Sequence, residues 1–422
     1  MAKNGLIAAL DIGTSKIACF IGQISPSGKI SVLGIGHQIS DGIKAGIIID
    51  VKRAESSILA AVNSAEKMAG ANIEEAFVNI SGGTIGSHIL DVETTISGHE
   101  VTEKDISHVI EQGEQHCKSM GAEILHSIPI AYRIDDTRGI KNPRGMFGEV
   151  LSTELHVITA STTAARNISN CLARCHLNVE GFVATPYASS IACLTKDEKN
   201  LGVILLDIGA GNTSISVFSK GNIIYADSIA LGGSHITRDI AKGLSTSIAY
   251  AERIKNLYGS VITTRADKHE MIEVPISDLD EDVFEPPVLG SEDEGNYVSK
   301  AILTSIIKPR VEEILEMTKG RIEKGGFYQM SGPRIVLTGG SSQIPGVKEL
   351  VGHIFGKHVR VGRPADLSGM ADSVKGPAFS ASIGMLKFAA EKRKEDEESS
   401  VGKKFSKKSA MSGIFRWFKE GA

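Results

Sequence analysis

Residues Val203 to Phe218 read Val-Ile-Leu-Leu-Asp-Ile-Gly-Ala-Gly-Asn-Thr-Ser-Ile-Ser-Val-Phe: an apolar run, an acidic end, a glycine turn and a second apolar run. Short apolar runs on either side of glycines predict two buried strands joined by a tight turn. The pattern also opens the chain. Leu6 to Leu10 is apolar, Asp11-Ile12-Gly13-Thr14-Ser15-Lys16 makes the turn, and Ile17 to Ile21 returns, so that Leu-Asp-Ile-Gly stands at 10–13 and again at 206–209. Each copy passes a turn signal, Pro26-Ser27-Gly28 or Lys220-Gly221-Asn222, into a third run, Ile30 to Ile35 or Ile223 to Ile229. A duplicated three-strand unit predicts two similar α/β domains facing each other across a cleft.

Between and after the copies the period changes. Gly34 to Gly46 reads as a glycine-rich loop, and Ile58, Leu59, Val62 and Ala65 mark one face of a helix from Val51 to Met68. Glu74 to Ser81 predicts a strand. The block from Ile85 to Ile158 holds strand-like Ile85 to Ile96, a helix from Glu103 to Lys118, and strand-like segments at Ala122 to Ile134 and Val150 to Ile158. A helix from Ser161 to Cys175, a strand at Val179 to Val183 and a small-residue helix at Tyr187 to Leu194 follow. Past the second copy come a helix from near His235, one over Ala251 to Gly259, a strand at Met271 to Val274, and a long helix from Ser299 to Glu323 with Pro309 as a kink. Arg334 to Leu337 predicts a strand, Pro345-Gly346 leads into a helix, and Ala378 to Ala389 forms a last small-residue helix. The domains expected are 1–84, an inserted subdomain 85–160, the first domain's continuation 161–195, a second domain 196–375 with an acidic subdomain near 235–300, and a returning helix 376–390.

Glu391 to Ser409 is highly charged without an apolar period, which predicts a flexible linker over 391–408. In 409–422, Met411, Ile414, Phe415 and Phe418 fall on one helical face with Trp417 beside it, and 401–422 carries six basic residues against Glu420. An apolar aromatic face flanked by basic residues predicts a helix lying in an anionic membrane surface; a helix packed on the body or a partner is the alternative.

At 422 residues, 41% hydrophobic and 23% charged, the chain can bury two cores, and a net charge of −4 gives no reason to expect nucleic acid as a partner. Five cysteines with no metal-ligand spacing suggest a reducing compartment, and Cys171 and Cys175 read as buried small side chains. Leu6 to Leu10 is too short for a signal peptide and no run spans a bilayer, so a cytoplasmic protein is expected.

Small residues in the two turns let backbone N–H groups approach an oxyanion, Thr213 adds a hydroxyl, and a carboxylate at a strand end can hold a water of hydrated Mg²⁺. One such turn would suit an ordinary hairpin; the pair points to phosphate. Glu252 and Lys255, three apart, share a helix face and could equally be a solvated ion pair.

The paired hairpins with Ile335-Val336-Leu337-Thr338-Gly339-Gly340-Ser341-Ser342 resemble the nucleotide-binding signature of the actin, Hsp70 and sugar-kinase superfamily. Within it, Gly139-Ile140-Lys141-Asn142-Pro143, Ile128-Pro129 with Tyr132, Leu337-Thr338-Gly339-Gly340 and the C-terminal tail resemble the FtsA family of bacterial cell-division proteins over nearly the whole chain. The resemblance implies an actin-like two-domain ATPase fold with duplicated nucleotide-binding halves, the family's inserted β/α subdomain and a C-terminal amphipathic helix. It implies ATP and Mg²⁺ as cofactors. Asp11 and Asp207 would hold hydrated Mg²⁺; Gly13, Thr14, Ser15, Lys16, Gly209, Gly211, Asn212 and Thr213 the phosphates; Glu252, Lys255, Gly339, Gly340 and Ser341 the nucleoside. The implied partners are FtsZ, other copies of the chain in a filament, anionic lipids and later division proteins, at the cytoplasmic face of the membrane at the division site. The acidic run Asp267 to Glu294 falls in the subdomain that the family uses for the FtsZ tail. A small-molecule kinase of the same superfamily is the alternative, although no aspartate base is evident; an Hsp70-like chaperone would need a peptide-binding domain after the core. Relatives with a water-orienting carboxylate carry Glu-Pro where this chain has Thr185-Pro186, which implies at most slow hydrolysis.

Overall fold

The computed structural model describes residues 5–82, 85–119, 121–275 and 297–403, the last eight as helical backbone. The tail residues Met411, Ile414, Phe415, Trp417 and Phe418, and most of the acidic run, lie outside the described residues.

The first hairpin is β1 (Leu6–Ile12) and β2 (Lys16–Ile24), extended by β3 (Ile30–Ile39) into an antiparallel meander. The expected loop at Gly34 to Gly46 is largely strand: β3 continues to Ile39, and β4 (Ile43–Lys44) pairs with β5 (Ile47–Ile48). The glycines serve close approach. A Cβ on Gly36 would lie 2.0 Å from the carbonyl oxygen of Ala61 in α1 (Val51–Ala69), so the strand rests directly on the helix backbone. Helix α1 starts on Asp50, whose carboxylate accepts from the N–H groups of Lys52 and Arg53, and ends at left-handed Gly70.

After β6 (Glu75–Ile80) the insertion forms its own antiparallel sheet from β7 (Gly86–Thr95), β8 (Ala122–Ile134), β9 (Thr137–Ile140) and β10 (Val150–Ser161), in the order β7-β10-β8-β9. Helix α2 (Glu103–Ser119) covers it through Ile106, Val109 and Ile110. The chain returns through α3 (Thr162–Arg174) and β11 (Asn178–Ala184), completing the sheet β11-β6-β1-β2-β3. Helices α4 (Thr185–Cys193) and α5 (Lys196–Leu201) lead to the second hairpin.

That half repeats the first. β12 (Val203–Ile208), β13 (Thr213–Ser219) and β14 (Asn222–Ile229) form the meander. Helices α6 (Gly233–Leu244) and α7 (Ile248–Tyr258), the short pair β15 (Met271–Glu273) and β16 (Tyr297–Ser299), and α8 (Lys300–Lys324) follow, with Pro309 inside α8. β17 (Arg334–Thr338), α9 (Val347–Phe355) and β18 (His358–Val361) then give the order β14-β13-β12-β17-β18, the same arrangement of meander and parallel strands as in the first sheet.

α1 and α3 cover one face of the first sheet and α10 (Ser380–Lys403) the other; α6 to α9 cover the second sheet, with α4 on its remaining face. The two connecting helices therefore lie between the sheets. They touch backbone to backbone: a Cβ on Gly384 of α10 would fall 1.8 Å from the Ala188 carbonyl oxygen of α4. α10 also corrects the expected linker, since it remains helical through Lys403. The extension is held by charge where apolar periodicity has ended, with Arg393 bonding Glu180 at 2.8 Å and Glu75 at 3.2 Å.

The insertion leaves the first domain but also leans on the second. Buried His156 of β10 donates from Nδ1 to the Ile223 carbonyl at 2.9 Å and accepts at Nε2 from Ser87 Oγ at 2.7 Å. Asn222 Nδ2 donates to the Ile130 carbonyl at 2.9 Å, and His126 Nε2 accepts from the Ala184 N–H at 3.0 Å. Burial pushes His156 down to about 4 and His126 to about 3 from an ordinary 6.5. Both are neutral when folded, so the stability they contribute is complete above pH 6.5 and is lost as pH falls from there toward 4. At pH 5 each should cost about 2 kcal/mol. Thermal melts at pH 7.5 and 5 should show a drop that His156→Gln reduces; an equal drop in the variant would remove His156 from the effect.

Candidate functional site

The two hairpin turns face each other at the base of the cleft. A Cβ on Gly211 would lie 2.2 Å from Thr14 Oγ1, so only glycine lets the second turn close on the first. Both turns close alike, Gly13 N–H donating to the Lys16 carbonyl at 3.0 Å and Gly209 N–H to the Asn212 carbonyl at 2.9 Å. Helix α6 begins against the second turn, where Gly233 and Ser234 N–H groups donate to Gly209 and Ala210 carbonyls at 2.9 and 2.8 Å. Gly46 N–H donates to Thr14 Oγ1 at 3.3 Å, which ties the β4–β5 hairpin to the same place.

Asp11 and Asp207 end the two central strands, β1 and β12, and each is gripped by a serine of a connecting helix. Ser382 of α10 donates to Asp11 Oδ2 at 2.7 Å; Ser189 of α4 donates to Asp207 Oδ2. Burial raises both carboxyls, Asp207 to about 6, with Ser189 and Lys16 opposing the shift and Asp11 adding to it. Lys16, pulled down to about 8 by burial, donates to the Ala378 carbonyl at 2.5 Å and lies 3.2 Å above the Phe379 ring. Two buried carboxylates thus share one ammonium, a surplus of negative charge that a bound cation would neutralise. Asn212 Oδ1, in the turn, is buried without a hydrogen-bond partner among the described residues.

Gly339, at φ 89°, presses on Asp207: its Cβ would sit 2.4 Å from Oδ1. Beyond it Ser341 Oγ donates to the Gly209 carbonyl at 3.2 Å, and the space over Gly340 is open apart from Ala378 Cβ at 3.9 Å. Lys255 is buried and donates to Glu252 at 2.6 Å, Thr237 at 2.9 Å and the Gly233 carbonyl at 3.3 Å. Lys255 Nζ and Ser341 Oγ both approach Gly233, so α7 and the β17 end meet above the second turn. Glu252 and Lys255 are therefore a half-buried pair that shapes the cleft wall and not a purely solvated one.

One expected role changes. Thr213 is fully buried and its hydroxyl donates to the Leu231 carbonyl at 2.9 Å, so it braces β13 and is turned from the cleft. Thr185, where a water-orienting carboxylate would stand, donates to the Ile80 carbonyl at 3.1 Å and accepts from Asn79 Nδ2 at 3.3 Å, so its one proton is committed to backbone and only an acceptor lone pair is left for a water. Sequence reasoning missed Ser189 and Ser382 as carboxylate partners. The signal was present in Ala188-Ser189-Ser190 and Ser380-Ala381-Ser382, small residues at matching places on the two connecting helices.

A family model described as "Cell division protein FtsA" matches residues 204–384, and one described as "SHS2 domain inserted in FTSA" matches 82–159. The cell division protein FtsA of Agrobacterium fabrum is 40% identical over 91% of this chain and 87% of its own length. Those of Pseudomonas aeruginosa and Escherichia coli are 34% and 30% identical, over 94% and 92% of this chain and 92% and 90% of their own. This chain belongs to the FtsA family. Among solved structures, the PilM-PilN type IV pilus biogenesis complex aligns at TM-score 0.63 and 15% identity, over 92% of this chain and 98% of that one. MreB5 of Spiroplasma citri bound to AMPPNP aligns at 0.52 and 15%, over 95% and 99%. The fold is actin-like α/β, the insertion is the FtsA-type SHS2 domain, and the chain is an actin-like cell-division protein. The small-molecule kinase alternative is not favoured by these relatives.

Proposed function

We propose that this FtsA-family chain is an ATP-binding adaptor of the division site. It forms filaments with other copies, holds FtsZ filaments to the cytoplasmic face of the cell membrane through residues 409–422, and brings in later division proteins. The observation that carries the nucleotide part is the pair of serine-held, buried carboxylates between two facing glycine turns. The donor set fits Mg²⁺·ATP: Asp11 and Asp207 are hard oxygen ligands suited to the ion's water shell, and their charge exceeds what Lys16 offsets. When bound, the ion would screen the phosphate charge. The N–H groups of Thr14, Ser15, Gly211 and Asn212 would receive phosphate oxygens, with Gly13 and Gly209 closing the turns that present them, and Lys255, Glu252, Gly339, Gly340 and Ser341 the nucleoside. Saturable, EDTA-sensitive binding of a fluorescent ATP analogue tests this; no binding at millimolar analogue would refute it.

Hydrolysis should be slow. Thr185 stands where a water-orienting carboxylate would be, and its hydroxyl is bound to Ile80. Loss of general-base assistance typically costs about 10² to 10⁴ in rate. Nucleotide then acts as a state label that favours cleft closure or filament formation. Single-turnover hydrolysis on lipid should be slow in wild type; turnover at the rate of an ordinary enzyme would contradict the reading.

A further inference from the structure

A cavity of about 550 Å³ opens where the inserted domain meets the connecting helices, between β8 and α10. Leu125, Ile128, Tyr187 and Phe388 supply apolar lining. Phe388, Glu391, Lys392 and Glu395 follow i, i+3, i+4, i+7 spacing, so one face of α10 forms a wall. The charged lining is mostly acidic: Glu114, Glu123, Glu391 and Glu395 against Lys118 and Lys392. β9 pairs with β8 only at Tyr132 and Ile134, so among the described residues the Ala122–Pro129 stretch of β8 that lines the cavity has β10 paired on one side and no paired strand on the other. Ser127 Oγ, in the lining, is buried without a hydrogen-bond partner among the described residues.

We propose that away from a membrane this cavity is occupied by the chain's own residues 409–422, the apolar face of Met411, Ile414, Phe415 and Phe418 turned inward. The inference rests on the reading of that segment as the lipid-binding one: lipid and cavity compete for the same face. Reach permits it. α10 ends at Lys403, eight residues past Glu395, or about 12 Å at ~1.5 Å per helical residue. Seven residues, 404–410, could span at most about 23 Å at ~3.3 Å each, a reach sufficient to return to the wall without unwinding the helix. Charge favours it, since the segment carries Arg416 and Lys419 against Glu420, the residues leading to it add Lys404, Lys407 and Lys408, and the lining is mostly acidic.

Trp417, the chain's only tryptophan, reports the state directly. Acrylamide quenching of lipid-free, full-length protein is compared with that of a synthetic 401–422 peptide. Several-fold weaker quenching in the protein, independent of its concentration, is expected. Glu123→Lys with Glu395→Lys should restore quenching toward the peptide's and tighten binding to phosphatidylglycerol-containing vesicles, by about tenfold if the docked form holds ~90% of molecules. Quenching equal to the peptide's would overturn the proposal, and so would protection that grows with protein concentration, which would place the segment on a second copy. Failure of the isolated peptide to bind the same vesicles would instead refute the membrane reading, leaving the quenching result to stand by itself.

Discussion

Asp207→Ala should weaken Mg²⁺·ATP binding by about 10- to 100-fold, the usual loss when an outer-sphere partner of a metal site is removed. The carboxylate is placed for that role by three neighbours: β12 delivers it to the cleft, Ser189 fixes Oδ2, and Gly339 closes over Oδ1. Unfolding would not explain the loss. Burial raises this carboxyl to about 6 from an ordinary 3.8, so its charge opposes folding of the nucleotide-free protein at neutral pH. The sign follows from linkage: the folded state holds the proton more tightly, so stability falls as pH rises from about 4 through 6. The nucleotide-free variant should therefore melt no lower than wild type at pH 7.5 while binding ATP worse. Asp11→Ala should act in parallel, through the site that Ser382 holds. Unchanged affinity in both variants, measured by equilibrium titration with a labelled analogue, would remove the cleft assignment.

Deleting residues 409–422 should reduce partition onto anionic vesicles by at least about a hundredfold, because each large apolar side chain that leaves the interface gives up about 1.5–3 kcal/mol. Arg416 and Lys419 go with it, at about 1 kcal/mol apiece near anionic lipid. Trp417→Glu should act in the same direction by placing a charge beside the inserted face. ATP affinity should be unchanged in both, since the cleft residues lie before Lys403. Vesicle co-sedimentation measures the effect, and a truncated chain that still pellets with lipid would place the anchor elsewhere.

The duplicated fold was legible because each half repeats one local signal, an apolar strand ending in Asp-Ile-Gly, and that signal needs no distant contact to be read. Other features depended on tertiary partners. Gly34 and Gly36 look like loop residues until α1 is seen to lie against them. The helical continuation of α10 past Ala390 has no apolar period, and its ion pairs go to Glu75 and Glu180, far away in the chain. In the cleft, the carboxylates and glycines announced themselves through turn chemistry. Their serine partners were hidden, because a serine among alanines reads as helix packing until the opposite domain supplies an aspartate. Thr213 failed for the converse reason: residue type suggested a free hydroxyl, and the nearby carbonyl of Leu231 engages it.

In the proposed function one chain joins FtsZ filaments to a membrane. Imaging FtsZ polymers with anionic vesicles and ATP, with and without this protein, tests it most directly. Filaments should line the vesicle surface only when the full-length chain is present, and should be dispersed again with the chain lacking residues 409–422. FtsZ filaments left in bulk solution while the full-length chain coats the vesicles would contradict it.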